Sequence, residues 1–236
     1  MRAWDRWRDA AADLVVGAAC AGCSAPGPLW CAACAEACRP RPHLVEVIRS
    51  SAAVPVVAAV ANTGPMARAI VAWKDRGRHR LTGPLAHLLA CSCVPFCDGP
   101  GPVGLVPMPA DRRQVRRRGA DVAADLAVHA ARRLMAVGVE AEALAVLRRT
   151  RATRDQAGLS ARQRRANVDG AFAADSRALQ RWRARGESTL LVVDDIVTTG
   201  ASAAEAARAL AAAHGHVAGI AVVASTPRAS GFPNAR

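Results

Sequence analysis

Two carboxylates adjoin at Asp194-Asp195, between an apolar run, Leu190-Leu191-Val192-Val193, and a loop of small and hydroxyl-bearing residues, Thr198-Thr199-Gly200-Ala201-Ser202. Adjacent acids repel each other, and either is costly to bury alone, so hydroxyls or a cation must meet them. In the loop, Thr198, Thr199 and Ser202 offer hydroxyl donors, and Gly200 lets the backbone come close to an anion. The helix expected next turns its N-terminal amides and the positive end of its dipole to the same place. Acids beside anion-binding amides suit a ligand with a vicinal diol and a phosphate a few ångströms apart, as in a ribose 5-phosphate. A strand–turn–helix capped by Ser/Thr, with two surface acids, is the plainer alternative.

The second chemical cluster is Cys20-x2-Cys23 and Cys31-x2-Cys34, two pairs separated by seven residues. At this spacing each pair can reach one ion from a tight turn, and two turns complete a four-sulfur tetrahedral zinc site. Gly22 lies inside the first turn, where tight curvature is expected. Ordinary buried thiols or a redox pair are the alternative. Cys38 could replace Cys34 as the fourth ligand. Cys91, Cys93 and Cys97 have no fourth partner nearby and read as core residues or free thiols. With four protein ligands the zinc would be structural.

Around these clusters the composition is biased. Of 32 basic residues only Lys74 is lysine, the others being arginine, and the formal charge is +13. Such an excess attracts polyanions of any kind, from phosphorylated metabolites to nucleic acid. A lone lysine among arginines points to a place needing a compact ammonium, or simply to an exposed helix end. No secretory signal and no run of about 20 apolar residues is evident, so a cytoplasmic protein without a membrane span is expected. Eight cysteines there favour metal or redox chemistry over disulfides.

The elements that must position these groups follow from periodicity. Residues 1–19 read as an amphipathic helix, and 20–42 as a Cys/Pro/Gly-rich module without long regular elements, Pro-rich near 39–42. Strands are expected at 54–61, 103–109, 190–195 and 219–225, and helices at 66–78, 83–91, 119–137 and 202–213. The stretch 148–166, rich in arginine, reads as a mobile loop or a basic helix. Strands alternating with helices predict an α/β fold, an open and mostly parallel sheet flanked by helices. The expected domains are 1–45, an N-terminal helix with a four-cysteine zinc ribbon or knuckle, and 46–236.

The acid pair and its loop resemble the signature of type I phosphoribosyltransferases. Together with WKDRGR at 73–78, GLVPMPADRRQVRRRG at 104–119, RRTRATRDQAGLSARQRRANVDGAF at 148–172 and the paired cysteines, the chain resembles the ComF (competence protein F) family over nearly its whole length. That resemblance implies a phosphoribosyltransferase-like domain that binds 5-phosphoribosyl 1-pyrophosphate (PRPP) with Mg2+. It implies that Asp194 and Asp195 hold the ribose hydroxyls and that Val197 to Ser202, with Thr198, Thr199, Gly200 and Ala201, anchor the 5-phosphate. Val106-Pro107-Met108-Pro109 would form the pyrophosphate-side loop, with Arg112 and Arg113 just beyond. Lys74 and Arg113 join the acids as catalytic candidates. Residues around Thr153, Gln156, Leu159 and 164–167 would be the closing loop. The family pattern Arg-Gly-Phe-Asn-Gln is Arg118-Gly119-Ala120-Asp121-Val122 here, which puts an acid, Asp121, near the pyrophosphate side.

Phosphoribosyl transfer to an acceptor is thus one expectation. Few aromatics are present to stack a nucleobase acceptor. The alternative, from another class, is a non-catalytic DNA-uptake accessory that binds single-stranded DNA or DNA-processing partners through its basic stretches.

Overall fold

The computed structural model describes residues 19–45, 54–150 and 168–227. The helix expected over 1–19 lies outside them but for Ala19, and so does most of the arginine-rich stretch, 151–167.

The described residues form a mixed α/β structure around a six-stranded sheet. Its strands are β1 (His43–Leu44), β2 (Val56–Ala61), β3 (Val103–Pro107), β4 (Ala141–Ala143), β7 (Thr189–Val197) and β8 (Val217–Ser225), in the spatial order β1-β2-β8-β7-β3-β4. All neighbours run parallel except β1, which pairs antiparallel with β2. A parallel sheet is buried on both faces, and β7 and β8 are accordingly near-continuous apolar runs. A small antiparallel pair, β5 (Leu147–Arg149) and β6 (Phe172–Ala174), lies apart from the main sheet.

Side chains alternate along β7. Leu191 and Val193 face one side with α2 (Gly64–Asp75), α3 (Thr82–Cys93) and α5 (Val122–Met135); Leu190 and Val192 face the other with α6 (Ser176–Arg183), α7 (Ala201–Ala212), β5 and β6. The two layers hold most of the buried leucine and valine. Continuing the alternation sends Asp195 to the α2 side.

Several expectations shift at their boundaries. The helix expected over 66–78 begins earlier, at Gly64, and stops at Asp75, before Gly77 at φ 69°. The helix expected over 119–137 is α5, starting at Val122 and ending at Met135, and a separate short helix that was not expected precedes it. Arg112–Arg118 forms α4, which ends at Gly119 in the left-handed region, and Asp121 caps the start of α5 by accepting from the Ala124 amide at 3.1 Å. The cysteine module contributes one short helix, α1 (Ala32–Ala37), and the Pro-rich patch after it is tied to the sheet by the Arg41 amide on the Ala59 carbonyl at 2.8 Å.

The topology fixes where a ligand can sit. The chain leaves β3 outward toward β4, but leaves β7 in the opposite direction toward β8. The loops after β3 and β7 therefore diverge, and the crevice between these two strand ends is the switch point where open α/β sheets bind ligands.

Gly104 lies in the middle of β3, and a Cβ there would meet Leu144 Cδ1 at 2.5 Å and Leu190 Cδ2 at 2.8 Å. Gly104→Ala overpacks this layer and is expected to lower stability by about 1–3 kcal/mol, read as a drop in the denaturant midpoint without a change in slope.

Candidate functional site

Asp194 and Asp195 stand at the C-terminal end of β7, at this switch point. The β3 loop begins beside them, since the Met108 amide donates to the Val193 carbonyl at 3.0 Å. Pro107 is the last residue of β3 and is paired with Val193; Met108 is buried against the α7-side layer. The Arg/Asp-rich turn that follows is held by Asp111, whose side chain accepts from the Arg113 amide at 2.7 Å and caps α4. Arg112 opens that helix. The exposed Arg113, with Asp111, Asp121, Arg148, Arg149 and Met108, lines a cavity of about 460 Å³ at the β3 end. Asp121, whose acidity runs against an anion there, spends its carboxylate on capping α5.

Asp195 is 5% exposed and receives the Lys74 ammonium on both oxygens, at 2.8 and 2.7 Å. Lys74 comes from the last turn of α2, a helix that leaves the end of β2 and reaches the end of β7, two strands across the sheet. Its neighbour Trp73 is fully buried and donates from Nε1 to Thr82 Oγ1 at 2.9 Å, which fixes that turn against α3. The lone lysine is therefore committed to an acid 121 residues away, and is not merely an exposed helix end. Asp194 is half-buried, and its Oδ1 accepts the Asp195 amide at 2.9 Å.

These contacts set the charges. Burial alone would push the Asp195 carboxyl up, but the Lys74 ammonium and hydrogen bonds from Asp194 and Lys74 hold it below the usual carboxylate range. Asp194 goes the other way: burial, then the neighbouring Asp195 charge, raises it well above that range, more than Lys74 offsets. Burial disfavours the Lys74 ammonium, yet Asp195 and Asp194 carry it above the ordinary lysine value. The two acids are thus pushed apart, Asp195 toward the ionised form beside Lys74 and Asp194 toward the protonated form.

Beyond the acids, Val197 is buried in the core and its carbonyl accepts from Thr226, so its side chain serves the strand and not the crevice. Thr198 is exposed. Gly200 takes φ 77° as the N-cap of α7 and, as glycine, brings no capping side chain of its own. Thr199 Oγ1 lies at 3.5 Å from the Ala201 amide. Ala201 and Ser202 form the first turn. The crevice thus combines an acid pair clamped by Lys74 with a helix N-terminus opened by glycine.

The cysteine cluster assembles as well. The sulfurs of Cys20, Cys23, Cys31 and Cys34 lie within 4.8 Å of one another, and Cys23 and Cys31 at 3.7 Å. A tetrahedral ion bound by sulfur at about 2.3 Å has ligand–ligand edges near ~3.8 Å, so the four could hold a metal ion such as zinc. Burial would push the Cys20 thiol up, but backbone amides of Cys31, Cys23 and Gly22 bring it down to about 6. Cys34 is pushed up by burial and then by the other three sulfurs, so the tetrad ionises fully only around a cation. Cys38 is buried in the apolar core against the α2 side and is not in the tetrad. Gly22 serves by space more than by curvature: a Cβ there would lie 2.7 Å from Cys34 Sγ and 2.9 Å from Trp30. Its carbonyl accepts from Arg68 Nε of α2, and Ala21, Leu29 and Trp30 pack on the α2/α3 core. Cys93 is fully buried, Cys97 donates to the Cys93 carbonyl at 3.2 Å, and Cys91 neighbours His87; these three are helix and core residues.

Asp75 and Arg118 were not singled out by the sequence. Arg118 reaches Asp75 Oδ1 at 2.8 Å immediately beside Lys74. The only cue was the adjacency of Asp75 to Lys74 in WKDRGR.

Comparison with known proteins names no relative: no family model matches the chain, and no curated protein matches it. Among the described residues no helix is long and apolar enough to cross a membrane.

Two outcomes follow. One zinc per chain is expected by metal analysis, retained in Cys38→Ser but lost or reduced at least several-fold in Cys34→Ser and Gly22→Ala. The second concerns pH. A raised folded-state value for Asp194 means that stability falls as pH rises above the ordinary carboxylate range, because the unfolded chain releases a proton the folded one keeps. Asp194→Asn removes that loss, so its denaturant midpoint should exceed wild type at neutral and alkaline pH, with the gap closing in acid. Asp195, held low, has the opposite slope, its contribution lost as pH falls below the carboxylate range; that of Lys74, held high, is lost as pH rises through the lysine range.

Proposed function

We propose that the protein binds Mg2+–PRPP in the crevice between the ends of β3 and β7 and transfers its phosphoribosyl group to an acceptor. Part of this proposal is the finer fold assignment, a type I phosphoribosyltransferase-like domain behind a structural zinc module. The observation that carries it is the Asp194-Asp195 pair, clamped by Lys74 and standing beside the glycine-opened start of α7. Diol-binding acids and phosphate-binding amides are then neighbours on one continuous segment. The motifs resembling the ComF family supply the chemical class.

In this reading the 5-phosphate lies on the amides and hydroxyls of Thr198 to Ser202, and binding energy from that remote group places the reacting carbon. Asp194 and Asp195 accept the ribose hydroxyls. A carboxylate has about four acceptor positions, so Asp195 can keep both Lys74 contacts and still take a hydroxyl. The bond between ribose C1 and the pyrophosphate oxygen breaks, its electron pair leaving with pyrophosphate. The carbon becomes oxocarbenium-like, and the acceptor's lone pair closes on it with loss of a proton. The acid pair faces the developing positive charge, and the pyrophosphate-side arginines, Arg112 and Arg113, would stabilise the departing anion. Lys74 holds Asp195 ionised and in place throughout. The stretch expected to close over the ligand, around Arg154–Arg165, lies outside the described residues.

Calorimetric titration of Mg2+–PRPP into the zinc-loaded protein tests the proposal. Saturable binding is expected, weakened about 100-fold or more in Asp194→Asn/Asp195→Asn, which removes the charge-assisted contacts to the diol. That binding should change little between low and moderate salt. Absence of binding by folded wild type, with steeply salt-dependent binding of single-stranded DNA instead, would replace the enzyme reading by the DNA-uptake one.

A further inference from the structure

Lys74 and Asp75 are consecutive on α2, yet they hold two different parts of the molecule. Lys74 reaches Asp195 at the end of β7; Asp75 receives Arg118, the last residue of α4, at 2.8 Å. Arg118 is only 11% exposed, and its Nε is buried without a hydrogen-bond partner, so among the described residues Asp75 is the one acid within ion-pair distance of this guanidinium. The helix it ends, α4, has seven residues, five of them arginine, which is too short to be stable alone. Its anchors are the Asp111 cap at one end and the Asp75 ion pair at the other.

We propose that Asp75 and Arg118 are positioning residues, a bridge that fixes α4, and with it Arg112 and Arg113, relative to the Lys74–Asp195 clamp. The bridge rests on the reading above and adds to it: the ribose side and the pyrophosphate side of the crevice are registered to each other through two adjacent residues of one helix end. Gly119, at φ 73°, lets the chain turn away directly after Arg118, so the bridge can stand at the helix's last position without obstructing α5. Because Asp75 is half exposed, the ion pair itself adds little to global stability. Its effect is local, on where the arginines of α4 stand.

The test compares Mg2+–PRPP with ribose 5-phosphate, which lacks the pyrophosphate, by calorimetry on zinc-loaded wild type, Asp75→Asn, Arg118→Gln, the double variant and the charge-swapped Asp75→Arg/Arg118→Asp. The dissociation constant for Mg2+–PRPP should rise roughly tenfold in each single variant, in the range of indirect couplings, and no further in the double. The swap should recover part of it, and ribose 5-phosphate should bind all variants like wild type. Equal weakening of both ligands would mark a merely structural pair, and unchanged PRPP binding would mark an idle one; either overturns the bridge while leaving the binding site standing. Wild type that binds neither ligand removes the site and the bridge together. Unaltered melting and zinc content in the variants exclude unfolding as the cause.

Discussion

The clamp of Lys74 on Asp195 is the interaction around which the rest of this structure is arranged. Two adjacent carboxylates at the end of a buried strand cannot both ionise without a cation, and the sheet itself has none to give. The cation arrives from α2, which has to leave β2, pass the end of β8 and end over β7. Everything that fixes α2 therefore serves the acids: Trp73 hydrogen-bonded to Thr82, Met66 and Ile70 in the core, and the cysteine module against its earlier turns. Lysine suits the post. Its single ammonium sits on both oxygens of one carboxylate and leaves lone pairs for a ligand, whereas a planar guanidinium would occupy the carboxylate face with a bidentate fork.

The large elements were legible in the sequence because they satisfy one strong requirement each. β7 and β8 are near-continuous apolar runs, as strands buried on both faces must be, and α7 is an alanine-rich helix opened by glycine. The acid pair and the cysteine pairs stood out by type and spacing. What stayed hidden has a physical reason in each case. The α4 segment has one half-buried apolar side chain, Val115, among its arginines, so no periodicity announces it. Helix α6 buries only Leu179 and Trp182, and β4, β5 and β6 have three residues each, too few for a pattern. Lys74 attracted notice as the only lysine, but its partner is 121 residues away, and one sequence holds no record of such a pairing.

Asp121, an acid where the sequence leads one to expect an anion, has local work, and so has Asp111. Asp111 and Asp121 each cap a helix, so the cavity at the end of β3 is bordered by carboxylates already engaged by backbone amides. Arg113, Arg148 and Arg149 share the lining of that cavity with these two acids. Gly22 teaches a related lesson. Its role in a cysteine turn suggested backbone curvature, but the deciding constraint is the sulfur of Cys34 in the space where a side chain would be.

The Gly22 carbonyl that accepts from Arg68 joins the cysteine turn to the same helix whose far end carries Lys74. A closed turn thus fixes α2 about six residues, or roughly 9 Å, before the clamp. Any ligand that requires Lys74 in place will favour the chain with its turn closed, and so will the ion that closes it. By thermodynamic reciprocity each then raises the affinity of the other. An ion held by the four cysteines, though remote from the crevice, would then be a heterotropic effector of a ligand bound there.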